Sequence, residues 1–350
     1  MNILHVVGGL STGGIEKWLL NLASVASSDI QLHIYSTNTS RLELLDVFNE
    51  RFSSVSIAPQ DSFIARCKKL IDVIDEKNIH IVQSHCDLAS GYYAFLVKKM
   101  RPHVKFITHC HSDRRFISNV SLKRKYYTIL MQFLIKKYST MNIAVSSYAK
   151  MSLFPNVESK VIYCGVPKYD LHKIYDPEIS HFVDEGRKII FHVARFNEAK
   201  NHEFILDLAD NIGEEFIFVF LGEGEKFQEI KLKSNDRGLK NVLFKGSVDN
   251  VCDYLYTYGS LLILPSLWEG LPLTVIESQS LGVQALVSDN ITKECDIGLT
   301  KFLKLDVNTW IEELISFDYK KKESCDLRDF CIDKNSNILL RIYNELYDGS

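Results

Sequence analysis

Short apolar runs alternate with stretches of helical period along most of this 350-residue chain. Residues 3–7 read as a buried strand, followed by a glycine-rich turn and a helical stretch at 15–27. Further strand-like runs fall at 31–36, 79–83, 104–108, 141–145 and 161–163, and helical ones at 63–76, 89–99 and 122–137. Short apolar runs bounded by turns suit strands buried on both faces. Their alternation with helices predicts a parallel sheet covered by helices. Residues 166–186 break the pattern: they hold Pro167 and Pro177, many charges and no clear period, and are expected to be a linker. The pattern then restarts, with strands at 188–192, 216–221, 242–245, 261–264 and 285–288. Helices follow at 202–211, 225–237, 251–258 and 273–281, and helical stretches close the chain at 307–317 and 336–347.

This is the pattern of an α/β protein with two doubly wound, Rossmann-like parallel-sheet domains, 1–165 and 187–330. The helix in 331–350 is expected to pack back on the first domain. Doubly wound sheets bind ligands outside the carboxyl ends of their strands. Two such domains facing each other are therefore expected to share one cleft. The length agrees with two domains, and 46% hydrophobic residues suffice for two cores.

The formal net charge of −3 excludes a nucleic-acid binder built on overall charge. The N-terminus, Met1-Asn2-Ile3-Leu4-His5, lacks the basic and long apolar regions of a secretory leader. No apolar run approaches the ~18 residues that span a bilayer. The eight cysteines show no C-x-x-C pair and no zinc spacing, which fits free thiols in a reducing cytoplasm.

The candidate chemistry sits at strand ends. Gly8-Gly9-Leu10-Ser11-Thr12-Gly13-Gly14 joins the first strand to the first helix, where a backbone can approach an anion closely. A nicotinamide site would need G-x-G-x-x-G and an acid ending the second strand, but that strand ends Ile34-Tyr35-Ser36-Thr37. The G-x-x-x-x-G-K-[ST] phosphate loop is also absent. In the second half, Arg195 and Lys200 follow the first strand, two cations suited to a pyrophosphate. Leu221-Gly222-Glu223-Gly224-Glu225 is a second glycine-rich turn. Then comes Pro265-Ser266-Leu267-Trp268-Glu269-Gly270-Leu271-Pro272-Leu273, with Glu277 about one turn into the next helix. Free N–H groups at that helix start can cap a phosphate, and a carboxylate can accept bonds from a vicinal diol.

With these residues in place, the chain resembles the retaining GT-B glycosyltransferases of family 4, most closely those of capsule, exopolysaccharide and O-antigen assembly. The resemblance runs nearly end to end. It is carried by His5-Val6-Val7-Gly8-Gly9, Gly13-Gly14-Ile15-Glu16, Val82-Gln83-Ser84-His85, Ile107-Thr108-His109-Cys110-His111, Ala194-Arg195, Lys200-Asn201-His202 and the E-x7-E pair Glu269 and Glu277. Many relatives have glycine where Ala194 stands. The resemblance implies that Arg195 and Lys200 neutralise the donor pyrophosphate and that Glu277 holds the ribose hydroxyls. Glu269 and the backbone of Gly270, Leu271, Pro272 and Leu273 would hold sugar and phosphates, and Gly222 would belong to the same donor site. Gly13 and Gly14 would let their loop approach the donor. His109 would be the active-site histidine, with His111 as second candidate. Glu16, His85 and His111 are the acceptor-side candidates.

The implied activity is hexosyl transfer from a nucleoside-diphosphate sugar, uridine being the family's usual base, to a glycan acceptor linked to a polyprenyl diphosphate. Transfer would retain the anomeric configuration. No cofactor is expected, and the absence of a D-x-D element at a strand end argues for no metal. The alternatives are a sugar-nucleotide epimerase of this fold and a non-catalytic scaffold subunit. The intact Arg195, Lys200, Glu269 and Glu277 speak against the scaffold.

One surface stands apart. Residues 98–137 carry Lys98, Lys99, Arg101, Lys105, Arg114, Arg115, Lys123, Arg124, Lys125, Lys136 and Lys137, with Tyr126, Tyr127 and Phe133 interleaved. Ile129, Leu130, Phe133 and Leu134 are expected to pack on the sheet, leaving a basic face for the anionic inner surface of the plasma membrane.

Overall fold

The computed structural model describes residues 1–11, 13–113 and 121–349. The chain divides into two compact units, Met1–Pro167 with Asp329–Ser350, and Lys168–Arg328.

In the first unit the described residues form a seven-stranded parallel sheet in the order β3-β2-β1-β4-β5-β6-β7. Its strands are β1 (Asn2–Val7), β2 (Gln31–Ser36), β3 (Ser54–Ile57), β4 (Ile81–Ser84), β5 (Lys105–Cys110), β6 (Met141–Ala144) and β7 (Lys160–Val161). The helices are α1 (Gly14–Val25), α2 (Leu45–Arg51), α3 (Phe63–Glu76), α4 (Ser90–Met100), α5 (Leu122–Tyr138) and α6 (Ser147–Leu153). Central strands such as β1 and β5 are buried along almost their whole length, as a sheet covered on both faces requires. Serine side chains at Ser62, Ser121 and Ser146 accept backbone N–H bonds and so start α3, α5 and α6. The strand order reverses between β1 and β4, so β1 and β4 flank a topological switch point.

In the second unit six parallel strands run in the order β10-β9-β8-β11-β12-β13. They are β8 (Lys188–Val193), β9 (Phe216–Leu221), β10 (Val242–Gly246), β11 (Leu261–Leu264), β12 (Gln284–Ser288) and β13 (Thr300–Leu303). The helices are α7 (Pro177–Asp184), α8 (His202–Asn211), α9 (Phe227–Asp236), α10 (Val251–Tyr258), α11 (Leu273–Ser280) and α12 (Val307–Ser316). Phe216, Phe218 and Phe220 of β9 fill the core with Phe196, Phe204 and Trp310. Here the switch point lies between β8 and β11.

The structure departs from the sequence reading within the expected linker. There, 177–184 is helix α7, and its Ile179 is buried. Asp176 caps that helix through bonds from Glu178 N and Ile179 N, and Pro177 occupies its first turn, a start signal hidden among charges. The last helix, α13 (Ile332–Asp348), belongs to the first unit. It is joined there by the pairing of Val166 with Cys331.

The orientation of α5 is the main correction. Ile129, Leu130 and Phe133 do not pack on the sheet; they are 63%, 52% and 54% exposed. Met131 and Ile135 take the buried side instead. The helix carries apolar residues on two faces, so its period alone does not say which face is covered. Arg114 and Arg115 lie outside the described residues.

Candidate functional site

Each unit gathers candidate residues at its switch point. In the second unit Arg195 and Lys200 lie in the loop after β8. Two backbone-linked contacts tie this loop to the one after β11: Leu267 N donates to Ala199 O at 2.7 Å, and Asn201 Nδ2 donates to Pro265 O at 3.2 Å. Lys200 Nζ pairs with Glu269 Oε1 at 2.5 Å, and Ser266 Oγ donates to the same oxygen at 2.7 Å. The two residues read separately in the sequence are thus one pair. Arg195 Nε sits 3.3 Å from Glu225 Oε2 and stays partly exposed.

Gly222 has φ +139°, and a Cβ there would lie 2.1 Å from Ala194 O. Gly224, with φ +158°, would meet Phe196 O at 2.5 Å. Both glycines therefore let the turn after β9 pack under the Arg195 loop. His202 supports the same loop from below, its ring stacked on Phe196 at 4.0 Å. Burial first, then neighbouring charges, push its pKa down to about 2.

The helix α11 begins with Pro272 as N-cap and no side-chain cap. Its first-turn N–H groups are therefore not claimed by a capping side chain, a ready place for a phosphate. Glu277 in this helix is buried, and Tyr169 Oη donates to its Oε1 at 2.5 Å. Burial, reinforced by the Glu277 charge, raises the Tyr169 pKa strongly, so the phenol stays a donor. A carboxylate has about four acceptor positions, and Tyr169 orients Glu277 by holding one of them.

In the first unit a set of rings collects on one face of the sheet. His5 of β1 pairs in register with Gln83 of β4. Gln83 and His85 are two residues apart, as are His109 and His111, so each pair shares a face by the period of a strand. Side-chain bonds connect them. His5 Nδ1 lies 3.0 Å from His85 Nε2, and His85 Nδ1 lies 2.8 Å from His111 Nε2. Gln83 Nε2 lies 2.8 Å from His109 Nδ1. The rings of His109 and His111 are 4.1 Å apart, and the Trp18 ring from α1 stands edge-on to His109 at 5.3 Å. Asp87, held at φ +45°, accepts from His111 N at 2.9 Å.

Burial is the leading cause that lowers all four histidines. It pushes His5 to about 3 and His111 to about 4, and holds His85 and His109 well below their ordinary value. Neighbouring histidines add to the effect at His85 and His109. All four rings are therefore neutral near pH 7. One nitrogen each from His85, His109 and His111 lie within 4.8 Å of one another, a spacing that can hold a metal ion. Both ring nitrogens of His85 are already hydrogen-bonded, to His5 and to His111, so an ion there would displace one of these bonds.

Gly13 is the N-cap of α1, and a Cβ on it would meet Glu16 Oε2 at 2.4 Å, so the Glu16 carboxylate folds back over the loop. Gly14 has no protein atom within 4 Å of such a Cβ. The motifs mark His85, His109 and His111 singly and give no role to His5, Trp18, Gln83, Asp87, Tyr169, Ser266 or to Tyr343 of α13, whose hydroxyl is bonded to Gln83. Gln83 near the end of the buried strand β4, with His85 directly after that strand, was the legible signal.

Two Rossmann-like units, each with its candidates at a switch point, define the fold class of the GT-B glycosyltransferases. The comparisons with known proteins agree. Residues 12–168 match the family model described as Glycosyltransferase Family 4, and residues 178–297 match that described as Glycosyl transferases group 1. The capsular polysaccharide biosynthesis glycosyltransferase CapH of Staphylococcus aureus is 27% identical, over 98% of this chain and 98% of that protein. A Campylobacter jejuni enzyme is 24% identical over 99% of each chain. Its name is GalNAc-alpha-(1->4)-GalNAc-alpha-(1->3)-diNAcBac-PP-undecaprenol alpha-1,4-N-acetyl-D-galactosaminyltransferase. Among solved structures, HepE of Anabaena in complex with UDP and glucose superposes with a TM-score of 0.77 at 13% identity, over 99% of this chain and 100% of that one. The chain belongs to the family 4 glycosyltransferases, and it is a hexosyltransferase.

Proposed function

We propose that the chain transfers a hexose from a UDP-sugar to a polyprenyl-diphosphate-linked glycan, with retention, during assembly of a surface polysaccharide. The observation that carries this reading is the second unit's switch point. There the Arg195 loop, the Lys200–Glu269 pair, the uncapped start of α11 and the buried Glu277 belong to loops bonded to one another. Fixed cations and helix N–H groups stabilise charge that develops on a departing diphosphate, which is electrostatic catalysis. Glu277, oriented by Tyr169, suits the ribose diol. The histidine face of the first unit supplies neutral hydrogen-bonding rings for the sugar and the acceptor hydroxyl. The relative from Campylobacter, named for an undecaprenyl-diphosphate acceptor, supports the lipid-linked acceptor.

The same reading places the chain peripherally on the inner face of the plasma membrane. No helix among the described residues is long and apolar enough to cross a bilayer. The exposed side of α5 joins Leu122, Tyr126, Ile129, Leu130 and Phe133 to Lys123, Arg124, Lys125, Lys136 and Lys137, which suits an anionic lipid surface.

The test is a thermal-shift series of the purified chain with UDP, GDP, ADP, CMP and NAD. A ligand bound only by the folded state raises apparent stability. UDP is expected to raise the Tm and NAD to leave it unchanged. No shift with any nucleoside diphosphate would overturn the donor site.

A further inference from the structure

The buried polar atoms of the first unit carry more information than the family motifs do. Tyr343 of α13 is wholly buried, and its hydroxyl donates to Gln83 Oε1. Among the described residues the structure gives that hydroxyl no other partner. Turning the Gln83 amide over would leave the phenolic O–H buried without an acceptor, the costly kind of orphan. Tyr343 thus decides which way the amide faces. The nitrogen of Gln83 then meets His109 Nδ1 at 2.8 Å. An amide nitrogen only donates, so Nδ1 must present its lone pair. A neutral imidazole has one proton, and on His109 that proton must sit on Nε2. His109 Nε2 is buried and has no partner among the described residues. The network therefore leaves one strong donor unsatisfied, on the ring that the family motif marks out.

We infer that Gln83, held by Tyr343, is a positioning residue that fixes His109 as the Nε2–H tautomer and so reserves a hydrogen-bond donor for a substrate oxygen. This rests on the reading of His109 as the active-site histidine. It gives α13 a task beyond packing, because that helix acts on the reaction through Gln83 without touching substrate. It also separates the transferase use of this face from metal binding. An ion bound by Nε2 of His109 needs a lone pair there, and the relay puts a proton in that place.

The experiment uses the whole chain labelled with 15N-histidine and long-range 1H–15N correlation spectra, which report the tautomer of each ring. His109→Gln identifies the His109 signals. The wild-type protein is expected to show His109 protonated at Nε2 alone at neutral pH. Gln83→Glu offers a carboxylate that accepts, and is expected to move the proton to Nδ1 or to charge the ring. Tyr343→Phe frees the amide and is expected to give a mixture of tautomers. In Gln83→Glu, kcat with the accepted sugar nucleotide should fall by about 10²-fold, the scale of losing one aimed donor. Its UDP thermal shift and donor KM should stay near wild type, because the nucleotide is held by the other unit.

An Nδ1–H tautomer in the wild type would overturn the inference. So would a zinc-dependent change of the His85, His109 and His111 signals at stoichiometric metal, or a tautomer shift in Gln83→Glu with undiminished kcat. If the wild type shows neither a UDP shift nor transfer, the donor reading fails, and the spectra alone still decide the tautomer.

Discussion

Arg195 and Lys200 look alike in the sequence, two cations five positions apart, yet their surroundings set them different tasks. Arg195 faces the exposed Glu225 and keeps part of its guanidinium in solvent. Lys200 is held against Glu269, whose side chain is only 10% exposed. Removing one partner of a buried pair leaves the other charge uncompensated, at a cost of about 3–5 kcal/mol. An exposed pair contributes about 0–1 kcal/mol. Arg195→Ala should therefore abolish most transfer while leaving the Tm nearly unchanged. Lys200→Ala should lose transfer and also lower the Tm by several degrees. Glu277→Ala should lose the UDP-induced rise in the thermal-shift series. Wild-type turnover in both Arg195→Ala and Glu277→Ala would remove the donor site from these residues. Such distinctions were not legible beforehand, because the Lys200–Glu269 and Tyr169–Glu277 bonds join residues far apart in sequence. The residue types at strand ends were legible. Their pairing was not.

At the scale of elements, the buried strands announced themselves, as did the edge strands β7 and β10, while the edges β3 and β13 did not. β1, β5, β8 and β9 are apolar runs because both their faces are covered. β3 and β13 lie at sheet edges with half-exposed residues, and their sequences, Ser-Val-Ser-Ile and Thr-Lys-Phe-Leu, lack such a run. α5 shows the reverse difficulty, since its apolar residues exceed what one buried face requires. The exposed remainder has a consequence at this scale. Vesicles rich in anionic lipid should sediment with the protein at low salt, and neutral vesicles should not. Raising the ionic strength to about 0.5 M shortens the screening length and should weaken binding. The double variant Ile129→Asp, Phe133→Asp should bind at least about tenfold more weakly, since burying one large apolar side chain contributes about 1.5–3 kcal/mol. It should keep its Tm, because both side chains are already in water. Equal sedimentation of the wild type and the double variant would show that this face does not meet lipid.

For the whole molecule, the buried histidines couple stability to pH. His5, His85, His109 and His111 in one unit, and His192 and His202 in the other, all have pKa values lowered by folding. Between the unfolded value near 6.5 and the lowered folded values, the unfolded chain binds more protons than the native one. The stability attached to these groups is therefore present in full above about pH 6.5 and is lost progressively as pH falls below it. For His111 and His192 the loss runs down to about 4, and for His5 to about 3. A Tm-against-pH series should fall steeply from about pH 6.5 to pH 4.5 and stay flat from about pH 7 to 8. Replacing His5 with Gln should flatten that fall, and an unchanged slope would refute the assignment.

The return of α13 to the first unit also orders events during synthesis on the ribosome. All of Lys168–Arg328 leaves the exit tunnel before Ile332–Asp348 does, so the second unit has its full sequence while the first still lacks a helix. A nascent chain interrupted anywhere in the second unit holds every histidine of the cluster but not Tyr343. The unit that begins first is finished last, and its imidazole face acquires its final hydrogen bond only after the other unit has been made.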